Sequence, residues 1–175
     1  MSTNLLPGES QYYKTYNNVI DMLKCMGRNH RLINTTTDGD IYEIDLEKNT
    51  IFPLLHINPV SVQTGKGQLL YNFQLFVCDL VEPHLSNEQD VMNDTLATML
   101  DIIAFLKHRE NLNEKFHVEQ DASFTCEPFR ERFDNAVFGW VMDLQIKTQW
   151  NYSDCLSIIG TRDSMVREST TNCMK

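Results

Sequence analysis

Leu69-Leu70-Tyr71-Asn72-Phe73-Gln74-Leu75-Phe76-Val77-Cys78 is the stretch that decides how the chain folds. Side chains alternate across a strand, so Leu69, Tyr71, Phe73, Leu75 and Val77 fall on one face and Leu70, Asn72, Gln74, Phe76 and Cys78 on the other. Apolar atoms on both faces predict a central strand, or one whose second face meets another subunit. Just upstream, Gly65-Lys66-Gly67 reads as a hairpin loop, because glycine tolerates the positive φ such loops require. The preceding strand runs from about Ile51 to Gln63. In it Leu55 and Ile57 share one parity while Val60 and Val62 share the other. The switch falls at Asn58-Pro59, where proline cannot donate to a ladder, and predicts a bulge or an edge position.

Working outward, Tyr42, Ile44 and Leu46 alternate with Glu43, Asp45 and Glu47 and predict a strand with one wet face. Arg28–Gly39 is polar and turn-rich. Phe116-His117-Val118 starts a strand that continues toward Cys126, Pro128 to Asn135 reads as a charged connector, and Phe138, Trp140, Met142, Leu144 and Ile146 alternate in a last strand. Two segments change period. Tyr12, Tyr16, Val19, Ile20, Leu23 and Met26 trace one helical stripe, with Gly27 as its stop signal. Met92, Leu96, Met99, Ile103 and Leu106 trace a second, opened by a capping box of Ser86 and Gln89 and ending near Arg109. Short loops between paired strands give an α+β fold: an antiparallel sheet of about five strands with two main helices on one face. Residues 1–155 form one domain, and 156–175, without periodicity, form a C-terminal arm ordered by partners.

Composition narrows the function. Of 175 residues, 15 are Lys or Arg and 24 are Asp or Glu, a net charge of −9 that argues against a basic phosphate-backbone binder. No apolar run approaches the ~20 residues of a membrane span, and the first residues lack the pattern of a signal peptide. Cys25, Cys78, Cys126, Cys155 and Cys173 are scattered without a CxxC and read as reduced thiols. No two histidines stand at a metal-ligand spacing, and His56, among hydrophobic neighbours on its strand, reads as a hydrogen-bonded, half-buried histidine. Gly65-Lys66-Gly67 leads into a strand, whereas a phosphate loop must open a helix. No GxSxG or HExxH occurs. Catalytic, cofactor and metal residues are therefore all predicted as none, and the chain reads as a non-enzyme.

Four segments together carry a resemblance to a known family. They are Phe52-Pro53-Leu54-Leu55-His56-Ile57-Asn58-Pro59-Val60; Tyr71 through Val81; Asn87-Glu88 through Ala104; and Glu127-Pro128-Phe129-Arg130-Glu131-Arg132-Phe133-Asp134 with Gly139-Trp140 and Leu144. Together they span roughly residues 40–155. The family is that of head-to-tail connection or tail-terminator-like ring proteins, notably of crAss-like phages and their relatives.

The resemblance implies a tail-terminator-like fold and a virion component, assembled in the host cytoplasm, that forms a closed ring below the portal. Its partners would be copies of itself (twelvefold favoured, sixfold possible), the portal or adjacent neck and tail rings, and DNA that passes without specific binding. The acids Asp38, Asp40, Glu43, Asp45 and Glu47 are candidates to face the channel, with Glu88–Asp101 as the alternative group; a solvated outer face is the plainer reading of either. Interface candidates are the hairpin tip at Gln63, Lys66 and Gln68, the segment with Phe129, Arg130, Arg132 and Asp134, and the arm from Asp154 onward. Arg132 and Asp134 could pair between subunits or within the chain. A tail terminator capping a tail tube, a monomeric ligand-binding or enzymatic domain, and a regulatory binding protein remain as alternatives.

Overall fold

The alternating stretch becomes the middle of a sheet. The computed structural model describes residues 15–41, 50–82, 84, 86–108, 116–119, 122–132 and 136–150. Two helices, α1 (Thr15–Asn29) and α2 (Glu88–Lys107), accompany β1 (Thr35–Asp38), β2 (Leu54–Gly65), β3 (Gln68–Leu80), β4 (Phe116–His117), β5 (Cys126–Arg132) and β6 (Ala136–Gln149). The strands follow the order β1-β2-β3-β6-β4, with β5 also paired to β6. β3 is bonded on both sides, to β2 through the hairpin and to β6 along its whole length, from Gln68↔Gln149 to Leu80↔Val137. The fold is α+β.

The sheet is mixed, because β1 runs parallel to β2 from Thr35↔Leu54 to Asp38↔Ile57. These four residues lie in the segment read from sequence as turns. A run of Thr35-Thr36-Thr37-Asp38 has no apolar alternation to betray a strand, and its partner lies well downstream. Side chains clamp it: the Thr35 hydroxyl donates to the Ile51 carbonyl at 2.7 Å, and the Asn34 amide donates to that of Phe52 at 2.6 Å. The bulge in β2 falls where proline predicts it. Pro59 faces Phe73 and Ser61 faces Asn72, so Val60 is the extra residue. The hairpin closes at Gly65↔Gln68 with Gly67 at φ 73°, and the Trp150 N–H donates to the Gly67 carbonyl at 2.8 Å.

The strand expected to run from Phe116 toward Cys126 is instead broken. β4 ends at His117, the ladder resumes at Cys126, and the expected connector from Pro128 is β5 as far as Arg132. Charges and a proline disguised it, yet both suit a strand bonded on one side only. The strand expected over Tyr42–Glu47 lies outside the described residues, as does the arm at 156–175.

Both helices pack on one face. Val19 and Leu23 of α1 and Met99, Ile102 and Leu106 of α2 meet Leu55, Phe73, Leu75 and Leu144 in one buried cluster. Gly27 does not stop α1, which continues to Asn29. It is a contact residue: a Cβ there would stand 2.5 Å from Thr36 Oγ1 and 2.7 Å from Leu55 Cδ2, so its absence lets the helix lie close on β1 and β2. The expected capping box of α2 does not form. Asn87 is the N-cap without a side-chain cap bond, the Ser86 hydroxyl donates to Glu82 Oε2 at 2.7 Å, and Asn87 Oδ1 accepts from the Glu82 N–H at 2.8 Å. The helix ends at Lys107, near the expected Arg109. Its buried row is Val91, Thr95, Met99, Ile102 and Leu106, while Leu96 and Ile103 are only half-buried. The threonines escaped an apolar count, but Thr95 and Thr98 bond the Val91 and Asp94 carbonyls at 2.6 and 3.0 Å and so enter the core satisfied. The Trp140 indole N–H donates to the Met92 carbonyl at 2.8 Å and fixes α2 to β6.

Candidate functional site

Among the described residues, the histidine and the cysteine of the central strands are built into the core. His56 is fully buried on β2. Its Nε2 lies 3.2 Å from the Gly39 carbonyl oxygen, which can only accept, so Nε2 carries the proton. Nδ1 then accepts from the Thr37 hydroxyl at 2.8 Å. Both ring nitrogens are engaged, as expected of a hydrogen-bonded histidine, although its burial is complete rather than half. Cys78 is buried, and desolvation, with a smaller contribution from neighbouring Asp79, pushes its thiol up to about 12. Burial also raises Cys126. Thiols held protonated are neither nucleophiles nor metal ligands. Among the described residues no group of three or more His, Cys, Asp or Glu could hold a metal ion.

The predicted interface residues separate. Gln63, Lys66 and Gln68 all stand exposed at the β2–β3 hairpin tip. Phe129 is buried, its ring edge-on to that of Phe76 with centroids 5.2 Å apart, so it fills the protein's own second core instead of a surface. Arg130 is exposed but engaged: it pairs with Glu88 at the start of α2 at 3.0 Å and lies 5.8 Å from the centroid of the Phe138 ring. At a surface such a pair contributes only ~0.2–1 kcal/mol. The side chain of Arg132, and Asp134 and Asp154 entirely, lie outside the described residues, so a pair between Arg132 and Asp134 does too.

The acids separate as well. Asp38 forms an ion pair with Lys24 of α1, which neutralises it, and Asp40 is exposed. Glu43, Asp45 and Glu47 lie outside the described residues. The alternative group is better arranged. Asp90, Asp94 and Asp101 are all exposed on α2, and their spacing of four and seven residues places them along one line of the helix. On α2, Lys107 lies away from this line, turned over the Phe124 ring at 5.6 Å.

Sequence reasoning missed a groove of about 660 Å³ between the helices. Met22, Met26, Ile102, Phe105 and Phe116 supply its apolar lining, and Asp21, His30 and Asp101 its charge, with His30 Nε2 3.7 Å from Asp101 Oδ2. The signal lay in α1, where Asn18, Met22, Cys25 and Asn29 recur at helical spacing beside the core stripe. A smaller polar hollow of about 210 Å³ lies among Gln74, Ser123, Thr125, Glu127 and Asp143.

No family model and no curated protein matches the chain.

Proposed function

We propose that the chain is a structural virion subunit, assembling with copies of itself into a closed ring in the neck or tail of a tailed bacteriophage, below the portal and around the DNA channel. What carries the reading is where the phage-like segments fall. They map to β2, β3, α2 and the β5–β6 pair, which form the greater part of the sheet and one of its two covering helices. The acidic line of Asp90, Asp94 and Asp101 supplies a surface suited to DNA passage. Carboxylates along a lumen repel phosphates, whereas a basic lining would bind them through counterion release.

One expected support falls away. On the second face of β3, Phe76 and Cys78 need no neighbouring copy, because they are covered within the chain by Phe129 and Val137. The test is assembly. Co-expressed with the portal and adjacent neck proteins, the chain should enter a ring whose native mass is a multiple of the protomer, twelvefold favoured, and appear below the portal in a particle reconstruction. A chain that stays monomeric with all its neighbours present, or is absent from particles, refutes the reading. The interhelical groove favours a second reading, a ligand-binding domain, which a small apolar cation raising the melting temperature would support.

A further inference from the structure

β1 covers β2 only at Leu54–Ile57, and from Asn58 to Gly65 no strand among the described residues lies on its outer side. The direction of the open backbone groups follows from one bond. The Ile57 carbonyl accepts from the Gly39 N–H at 3.1 Å, so Ile57 faces outward. Alternation then turns Asn58 toward β3 and Pro59 outward, placing the missing proline donor on the open side. The extra residue Val60 resets the alternation, so Ser61, Gln63 and Gly65 face β3 while the N–H and C=O groups of Val62 and Thr64 point out.

The side chains on this edge are uncharged, and two of them are apolar. Val60 and Val62 are 56% and 52% exposed, and with Tyr16 and Tyr71 they border a hollow of about 130 Å³. No Asp, Glu, Lys or Arg occurs from Leu54 to Gly65. Exposed edges normally carry a lysine or another charge that stops a second strand from pairing. Here the proline and bulge guard one end, and β2 itself carries no charged residue to guard Val62–Thr64. Two copies of a chain of net charge −9 repel each other overall. A neutral edge is where a like-charged copy can approach, and it offers a basic partner no acid to recognise.

We propose that the β2 edge at Val60–Thr64 pairs with the same edge of a second copy, antiparallel, about a two-fold axis at Val62. In that register the Val62 N–H and C=O exchange bonds with their own counterparts, and Thr64 lies opposite Val60. The two Val62 side chains meet on the helix-bearing face beside Tyr16, and one sheet runs through both copies. A two-fold contact is not the head-to-tail contact of a cyclic ring, so the pairing stands independently of the ring reading. So short a seam buries less than the ~1,200 Å² of a standard interface and gives a dimer of roughly micromolar Kd.

Sedimentation velocity on the full chain, over ~1–100 μM, tests it. The expected result is a monomer–dimer equilibrium whose Kd rises about tenfold or more in Val62→Lys, which sets like charges opposite each other, with an unchanged melting temperature. Val62→Cys, oxidised and mapped by mass spectrometry, should link position 62 to position 62 in preference to the exposed Cys25. A wild-type chain that is monomeric throughout, a Kd unmoved by Val62→Lys, or no 62–62 link overturns the pairing. Should Val62→Lys fail to fold, the cysteine link decides alone. None of these outcomes depends on whether the chain enters a virion.

Discussion

The two faces of β3 carry similar sequence and meet different ends. On the helix side Tyr71, Phe73, Leu75 and Val77 are all buried under α1 and α2. On the other side the strand is divided. Phe76 and Cys78 lie in a second core with Leu54, Phe129 and Val137, while Asn72 and Gln74 stay half-open in a ladder of side-chain amides. In that ladder Asn58 Nδ2 donates to Gln74 Oε1 at 3.3 Å, Asn72 Nδ2 to Ser61 Oγ at 3.0 Å and Gln145 Nε2 to Asn72 Oδ1 at 2.9 Å. The first face is sealed by whole helices, the second by one aromatic ring on an edge strand. An apolar residue on a second face therefore does not demand a partner molecule, provided the chain can bring its own cover.

Beneath that cover Gly139, between Phe129 and Cys78 in the ladder, lets β6 lie close on β3. A Cβ there would lie 2.0 Å from the Val77 carbonyl oxygen and 2.6 Å from Cys78 Cα, both backbone atoms that cannot step aside. Gly139→Ala should cost about 4 kcal/mol or more and expose the second core, read as lost cooperativity in thermal or urea unfolding. A loss under ~1 kcal/mol would mean that the second face is loosely held. Phe129→Ala comes next, at about 3 kcal/mol by the same measurement, because it opens a cavity over Phe76. If it proves neutral, the ring seals nothing and a neighbouring copy becomes the better account of the second face.

A smaller effect separates the faces by pH. The Cys78 thiol ordinarily titrates at 9.0 and here at about 12, so above pH 9.0 the unfolded chain has lost a proton that the native state keeps. Stability should therefore fall as pH rises from 9.0 toward about 12, by ~1.4 kcal/mol at pH 10 from this group. Denaturation from pH 8 to 10 should show that slope, and Cys78→Val should remove the share of Cys78 while leaving that of Cys126. The smallest effect lies in the polar ladder. Gln145→Ala should cost only ~0.5–1 kcal/mol, since an exposed amide bond is exchanged for water. A loss of several kcal/mol would make the polar half as structural as the apolar half.

Much of the fold is legible in the residues alone. The hairpin and its bulge follow from Gly65-Lys66-Gly67 and Asn58-Pro59, because glycine and proline act through their own backbones. The last strand follows from the alternation of Phe138 to Ile146. The candidate site is less legible, for two physical reasons. Composition disguises some elements: Thr35–Asp38 has no apolar beat, and β5 carries the proline and charges of a loop. Local rules also lose to packing. Gly27 looks like a helix stop and is a close-packing contact, Ser86 looks like a cap and bonds Glu82 instead, and Phe129 looks like a docking residue and is core. A local signal states what a residue can do, and its neighbours in space select among the possibilities.

By itself, then, the sequence determined the periods: where the chain extends, where it coils, and that two helices and a paired sheet share a core. Those properties depend on side chains a few residues apart, whose spacing is written along the chain. Tertiary structure alone decided that β1 joins in parallel, that Phe129 covers the second face of β3, and that among the described residues no strand pairs the outer side of β2 beyond Ile57. Each of these is a relation between residues distant in sequence, set by which backbones can approach and which polar groups find partners. No period along a single strand encodes that.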